Sequence, residues 1–191
     1  CKVPQICPHF HLSLQSGCDE TLKRMNRHYT TALYLEKCGI LRQYFDRPAL
    51  TTDVIVGFPG ETEEEFAQTE RFLETVHFSD MHIFKYSKRR GTKAADMPNQ
   101  IDPQIQSVRS EKLIALGERM KDDFLEACKD QEQIVLIEEE TEIDGTKYMT
   151  GHSKNYIRCA FEMDGLVPNM VIKGTINSKL NEEFVFCKRI D

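Results

Sequence analysis

The middle of the chain combines, in order, the patterns of a buried strand, a tight turn and a helix start. Residues 54–56 form a continuous β-branched run, which predicts a strand covered on both faces. Glycine and proline within 57–60 end this strand, because proline cannot extend a ladder and glycine adopts backbone angles that other residues avoid. Thr62 and Glu65 have the spacing of a capping box. The turn is therefore expected at the carboxyl end of a parallel strand, where α/β proteins bind ligands.

Two further strands flank this unit in the sequence. Apolar and polar residues alternate over 9–14, and residues 81–86 form the other strand candidate. Asp19 is predicted to cap a short helix after the first strand, and a second helix follows Thr30. Since each strand is followed by a polar loop and mostly by a helix, the pattern predicts a right-handed βα series on a parallel sheet.

The period of the apolar positions changes in the last third of the chain. Asp102 and Pro103 are typical of a helix start, and spacings of three and four predict one long amphipathic helix to about Cys128. Five short strands with hairpin turns follow, which predicts a small closed or nearly closed barrel. The fold class is thus α/β followed by all-β, with domains at 1–129 and 130–191.

Composition narrows the possible functions. The 191 residues are 40% apolar and 29% charged, which is typical of a soluble protein, and no apolar run is long enough to span a membrane. The net charge of −6 argues against a generally basic nucleic-acid binder, so any RNA contact must be local. Seven scattered cysteines form no Cys-x-x-Cys motif and are interpreted as reduced thiols.

Four segments together resemble the radical S-adenosylmethionine methylthiotransferases. They are HLSLQSG at 11–17, LKRMNR at 22–27, DVIVGFPGET at 53–62 and YSKRRGTKAA at 86–95. Their order and spacing look closest to the MtaB-like branch, and the terminal strands look like that family's TRAM barrel, an RNA-binding module. The resemblance implies strands four to six of a six-stranded partial barrel followed by a TRAM domain.

The resemblance also implies an activity. The MtaB-like branch adds a methylthio group to carbon 2 of threonylcarbamoyladenosine beside the tRNA anticodon. Its cofactors are S-adenosylmethionine and [4Fe-4S] clusters, its partner is the tRNA anticodon stem-loop, and its location is cytoplasmic. Two alternatives stay open: a methylthiotransferase of the same family that modifies an aspartate on a ribosomal protein, and an RNA-binding module without catalysis.

The chain departs from the family pattern in its cysteines. The cluster motif Cys-x3-Cys-x2-Cys is absent, and Cys18 and Lys85 stand where serine and proline are usual. We therefore expect a fragment without cluster ligands that is inactive alone, and we assign neither catalytic residues nor metal ligands. We also expect the first strand, 9–14, to lack a neighbour and to promote self-association.

Candidate cofactor contacts follow from the matching motifs, each with a structural alternative. Gln15 and Ser16 are candidates for the ribose or amino-acid part, or else form a loop and a helix cap. The 57–61 turn resembles the family's adenine-side motif, or else is a plain βα turn. Asp53 is a cofactor contact or a structural carboxylate. Arg89 matches the motif arginine and is a candidate contact. The alternative is that its basic loop is exposed to solvent and binds nothing. The complete candidate set is Gln15, Ser16, Asp53, Gly57, Pro59, Glu61, Tyr86 and Arg89.

The expected RNA contact depends on one face of the terminal domain. Seven basic residues stand against eleven acidic ones in 131–191, so composition alone does not predict RNA binding. The residues expected to contact RNA are Lys154, Tyr156, Arg158 and Lys173. The ring of Tyr156 either stacks on a base or fills the barrel.

Overall fold

The computed structural model describes Val3 and residues 5–190, which divide into two compact units. One unit is Phe10–Phe124. The other runs from Leu125 to residue 190 and includes the described residues up to His9.

The first unit is a mixed α/β structure with a three-stranded sheet in the order β1-β2-β3. Strands β2 and β3 are parallel, with Asp53 opposite His82 and Val56 opposite Lys85. The elements are β1 (His9–His11), α1 (Asp19–Arg24), α2 (Thr31–Tyr44), β2 (Ala49–Val56), α3 (Glu63–Val76), β3 (Asp80–Lys85), α4 (Lys93–Asp96) and α5 (Pro103–Cys128). The predicted α/β class with a parallel sheet is confirmed.

Local capping fixes where most of these helices begin. The capping box of α3 is present in both directions, because Thr62 Oγ1 accepts from the Glu65 amide and the Glu65 carboxylate accepts from the Thr62 amide. The prediction for Asp19 is wrong, since Cys18 occupies the N-cap of α1. Asp19 instead accepts a hydrogen bond from the backbone amide of Thr31, at the start of the next helix.

The central strand β2 buries one face only. Thr52, Val54 and Val56 are at most 1% exposed, and the core around them includes Leu14, Phe66, Phe78, Leu113 and Met120. The alternate positions of β2 are half-buried, so the predicted burial on both faces is wrong for this chain. The second face of the sheet stays open.

The first strand is shorter than predicted because a bulge interrupts it. Leu12 donates to the Thr51 carbonyl and Gln15 to the Asp53 carbonyl, so three steps on the first strand match two on β2. The Thr52 hydroxyl bridges the irregular region: it donates to the Leu12 carbonyl at 2.7 Å and accepts from the Leu14 amide at 2.9 Å. Gln15, at φ 72, rejoins the sheet opposite Val54. Such a bulge changes the direction of the side chain that follows it.

The second unit contains a closed five-stranded sheet in the order β4-β5-β6-β8-β7. The strands are β4 (Glu132–Ile143), β5 (Thr146–Ser153), β6 (Arg158–Phe161), β7 (Val171–Lys179) and β8 (Val185–Ile190). All five predicted strands are present, with β4 longer than expected. Strand β6 begins after Tyr156, whose φ of 68 places it in the preceding turn.

Candidate cofactor and nucleic-acid sites

Three of the predicted cofactor contacts lie at the carboxyl ends of neighbouring strands. Gln15 donates to the carbonyl of Asp53 and accepts from the amide of Ile55. Gly57 follows the last residue of β2, and the Tyr86 amide donates to the Val56 carbonyl at 2.9 Å. The fold therefore brings Gln15, Gly57 and Tyr86 together at the carboxyl-end edge of a parallel sheet. Ligands usually bind at this end of such sheets.

The backbone of Gly57 is held by the protein itself. Its amide donates to Glu61 Oε2 at 2.7 Å, and its carbonyl accepts from Gln106 Nε2 at 3.2 Å. Its φ is 72, and an added Cβ would lie 2.4 Å from Gln106 Cγ. The requirement for glycine thus arises from the left-handed turn and from packing against α5.

The side chain of Glu61 forms a buried ion pair with Arg109 of α5. Arg109 Nη1 donates to Glu61 Oε2 at 2.8 Å and to the Glu61 carbonyl at 3.0 Å, and the two side chains are 7% and 1% exposed. The guanidinium also lies 5.2 Å from the Phe66 ring centroid. Burial raises the pKa of Glu61, while the Gly57 amide and Arg109 act to lower it. The carboxylate therefore ties the 57–61 turn to α5.

A second, partly buried pair joins α1 to the start of α3. Arg24 binds both carboxylate oxygens of Glu65, with Nη1–Oε1 at 2.8 Å and Nη2–Oε2 at 2.6 Å. The Arg24 hydrogen bond is the main cause that lowers the pKa of Glu65, and the Thr62 amide contributes in the same direction. The capping box and this pair share one carboxylate, so α1 fixes the start of α3.

Two polar groups at the strand ends have no partner within the described chain. The hydroxyl of Tyr86 is buried without a hydrogen bond, and its ring meets Phe58 edge-on at 5.3 Å. Gln15 is 8% exposed, and no hydrogen bond to its side-chain amide occurs among the described residues. A buried polar group without a partner is costly, so the Tyr86 hydroxyl suits a ligand that offers donors and acceptors, as a nucleoside cofactor does, and the Gln15 amide is available to the same kind of ligand.

The remaining candidates of the first unit are packed into the fold, lie on the other face of the sheet or are exposed in a loop. The hydroxyl of Ser16 is fully buried and contacts Thr69 Oγ1 at 3.2 Å, which makes it a packing contact to α3. Pro59 is buried within the turn, and Asp53 lies on the open face of the sheet. Arg89 is exposed in the basic loop, and no ion pair to its side chain occurs within the described range.

The cysteines offer no cluster site in the part of the chain that the structure describes. Cys7 is exposed and the other five described cysteines are buried free thiols, while Cys1 lies outside the described residues. No three histidine, cysteine or acidic side chains of the described residues are arranged to hold a metal ion. The described residues therefore do not fit an iron–sulfur cluster.

Tyr156 of the second unit already stacks on two imidazoles. Its ring centroid lies 4.6 Å from that of His9 and 4.5 Å from that of His152, with interplanar angles of 5° and 22°. The residue is still 61% exposed. A base can stack on this ring only if it replaces one of the two histidines.

The cations predicted to contact RNA in this unit differ in whether a carboxylate pairs with them. Arg158 pairs with Glu183 and lies over the Phe184 ring, and Lys173 pairs with Glu132 at 2.8 Å. Lys154 is exposed, and no carboxylate pairs with it among the described residues. The same holds for Lys188 and Arg189, which sequence reasoning missed.

Arg109 is the most important residue that sequence reasoning missed. The apolar positions alone predict the long helix, and Arg109 lies four residues after Ile105 and four before Leu113. An arginine in the apolar stripe of a helix indicates a buried partner. That signal was present, although the partner, 48 residues earlier in the chain, was not identifiable from it.

Comparison with known proteins first shows a similarity to one superfamily. The Radical SAM superfamily matches residues 3–73 of this chain. Within the described part of the chain, no helix combines the length and apolar character that crossing a membrane requires.

Curated relatives then define the resemblance more closely. The threonylcarbamoyladenosine tRNA methylthiotransferase MtaB of Bacillus subtilis is 38% identical over 163 residues, which cover 84% of this chain and 36% of that protein. The tRNA-2-methylthio-N(6)-dimethylallyladenosine synthase of Corynebacterium efficiens is 36% identical over 94% of this chain and 33% of that protein. The tRNA-2-methylthio-N(6)-dimethylallyladenosine synthase 1 of Mycobacterium marinum is 46% identical over 62% of this chain and 22% of that protein.

The chain is thus related to the radical S-adenosylmethionine tRNA methylthiotransferases, as its four motifs predicted. It spans about a third or less of the length of these relatives.

We predict that removing only one partner of the Glu61–Arg109 ion pair strongly destabilises the protein. Arg109→Met leaves a buried carboxylate without its cation, so the free energy of unfolding should fall by about 3–5 kcal/mol. The double variant Arg109→Met/Glu61→Gln should lose clearly less than the sum of the two single changes. Urea unfolding followed by helical circular dichroism measures these differences.

The matched control for this experiment is Arg119→Met on the same helix. Arg119 pairs with Glu74, and the two side chains are 64% and 50% exposed. Its loss should change stability by at most about 1 kcal/mol. Equal losses for Arg109→Met and Arg119→Met would show that the buried pair does not hold the turn.

The Arg24–Glu65 pair predicts a dependence of stability on pH. A carboxylate whose pKa is lowered by folding stabilises the protein above its ordinary pKa of 4.5, and this contribution is lost as the pH falls through the folded-state pKa. Glu65→Gln should therefore be less stable than the unchanged chain at neutral pH, with a difference that shrinks toward about pH 3. Glu61, with its raised pKa, affects the pH dependence of stability in the opposite direction.

Urea unfolding at neutral pH and at about pH 3 tests this prediction. The control is Glu64→Gln, which removes a carboxylate from an exposed ion pair. A constant difference for Glu65→Gln would contradict the prediction.

Proposed function

We propose that this chain forms the carboxyl-terminal part of a tRNA methylthiotransferase. Residues 1–129 form the second half of a radical S-adenosylmethionine partial barrel, and residues 130–191 form a TRAM-like barrel that binds RNA. Two features support this proposal. In the first unit the carboxyl ends of three neighbouring strands lie side by side, and the second unit contains a closed five-stranded sheet.

The proposed reaction adds a methylthio group to carbon 2 of threonylcarbamoyladenosine next to the anticodon. The Bacillus subtilis relative, named for that nucleoside, aligns over 84% of the chain, and the motif spacing favours the same branch. The competing substrate is the dimethylallyladenosine for which other relatives are named. When bound, S-adenosylmethionine supplies the methyl-group and radical chemistry of such a transfer.

The observation that carries the proposal is the pair of partnerless polar groups at the strand ends. The amide of Gln15 and the buried hydroxyl of Tyr86 are free to bind the cofactor. Glu61 and Gly57 fix the turn between them through Arg109 and Gln106. Arg89 and the neighbouring exposed cations of its loop offer planar or point charges to a phosphate or carboxylate.

In this proposal the described residues contribute the positioning of the cofactor and the substrate. The proposed partner is the tRNA anticodon stem-loop and the proposed compartment is the cytoplasm. Self-association through the β1 edge stays a prediction, as does inactivity of the 191-residue chain alone.

We predict that deletion of the gene removes methylthio-threonylcarbamoyladenosine from tRNA and leaves its precursor unmethylthiolated. Mass spectrometry of tRNA nucleosides from the deletion strain measures this loss, and the reintroduced gene should restore the product. Loss of the dimethylallyl product instead would assign the other branch. A change confined to a ribosomal-protein aspartate, or no change at all, would overturn the tRNA assignment.

RNA binding by the second unit should be weak and sensitive to salt, because it rests on few phosphate contacts. Replacing both Lys154 and Arg158 with alanine should weaken binding of an anticodon stem-loop and reduce the slope of log affinity against log salt by about 1–2. Glu183→Gln should strengthen binding, because it frees Arg158 from its ion pair. Fluorescence titration of the 191-residue chain at several salt concentrations measures both effects.

The double variant Lys188→Ala/Arg189→Ala is the matched control, since it removes the same charge from other positions of the same unit. It should bind nearly as the unchanged chain does. If this variant loses affinity while the Lys154/Arg158 variant does not, the RNA-binding face has been assigned to the wrong residues.

A further inference from the structure

The open face of the three-stranded sheet is polar at its centre. The half-buried side of β2 presents Thr51, Asp53 and Ile55, opposite the face that packs on the helices. Across the β2–β3 ladder, Asp53 is level with the exposed His82, and Ile55 is level with Phe84, which is 52% exposed. The face therefore changes from polar to apolar over one residue pair toward the strand ends.

The side chains of His11 and Ser13, which also contact each other at 3.2 Å, orient Asp53 on this face. His11 Nε2 lies 3.1 Å from Asp53 Oδ2, and Ser13 Oγ donates to the same oxygen at 3.0 Å. Because an ionised carboxylate only accepts, His11 carries its proton on Nε2, and its Nδ1, 3.0 Å from Thr51 Oγ1, is fixed as well. Oδ2 is thus saturated and held in place.

The other oxygen of Asp53 and the ring of His82 remain available. No hydrogen bond to Asp53 Oδ1 or to either His82 nitrogen occurs among the described residues. The His82 and His11 ring centroids lie 6.2 Å apart, so His82 belongs to the same cluster. Neighbouring strands are about 4.8 Å apart, so an acceptor and a donor stand side by side within reach of one small polar group.

We infer that this cluster recognises the polar group on N6 of the target adenosine, an inference that rests on the proposed function. The threonylcarbamoyl group carries a hydroxyl, which donates, and a carboxylate, which accepts. Asp53 Oδ1 matches the hydroxyl and a His82 N–H matches the carboxylate. A dimethylallyl group is a hydrocarbon and would leave both protein groups without partners, which is costly.

The orientation of the nucleoside follows from the same face. Phe84 and Ile55 provide an apolar surface one residue pair nearer the strand ends, where a base can pack. The base then lies toward the edge that carries Gln15 and Tyr86, and its N6 substituent lies toward Asp53. His82 is accordingly a specificity-determining residue of the site.

Selectivity between the two adenosines tests the inference. The gene, unchanged or with His82→Leu, is expressed from its full coding sequence in a host that lacks its own methylthiotransferases for both nucleosides. Mass spectrometry then gives both methylthio products. His82→Leu should lower the ratio of the threonylcarbamoyl to the dimethylallyl product by about tenfold or more, as expected for a lost hydrogen bond to a charged group. His82→Gln, which keeps an N–H donor, should restore part of the ratio.

The control is His28→Gln, an exposed histidine outside this face, which should leave the ratio unchanged. If His82→Leu lowers both products in proportion, the residue is structural and the inference is wrong. An unchanged ratio with a normal threonylcarbamoyl product also overturns the inference but leaves the proposed function intact. If the unchanged gene makes no threonylcarbamoyl product, the proposed function is wrong and the inference falls with it.

Discussion

The buried pair of Glu61 and Arg109 is the constraint on which the candidate site depends. Taking both charges out of water is costly, and the cost is offset by the short Arg109 contacts, the Gly57 amide and the Phe66 ring. Such a pair adds little net stability compared with apolar residues of similar size. Its effect is to allow one geometry of the turn, because any other geometry would leave a buried charge without its partner.

Since the turn is held internally, ligand recognition must come from groups that the turn does not use. The carboxylate of Glu61 and both backbone groups of Gly57 are already engaged. That leaves the side chains at the ends of the neighbouring strands, and the bulge in the first strand is what brings Gln15 to this position. A rigid turn flanked by free polar side chains suits the precise positioning that the proposed cofactor requires.

Local signals in the sequence identified the elements that local interactions determine. The β-branched run 54–56, the capping box of α3 and the Asp102–Pro103 helix start all predicted elements that the structure contains. The bulge in the first strand was not predictable, because it depends on the Thr52 hydroxyl 38 residues away from Leu14. The stacking of Tyr156 between two histidines likewise depends on partners that no periodicity indicates.

Charge pairing limits what the second unit can contribute to RNA recognition. Carboxylates engage Lys147, Arg158, Lys173 and Lys179, which leaves three of the seven basic residues, Lys154, Lys188 and Arg189, without a carboxylate partner among the described residues. Even with phosphate contacts from all three proposed cations, Lys154, Arg158 and Lys173, the salt slope is only about −2 to −3. Contacts to phosphate also carry no sequence information. If the chain acts on tRNA, the second unit thus supplies modest attraction, and the choice of nucleotide falls to the polar face around Asp53 and His82.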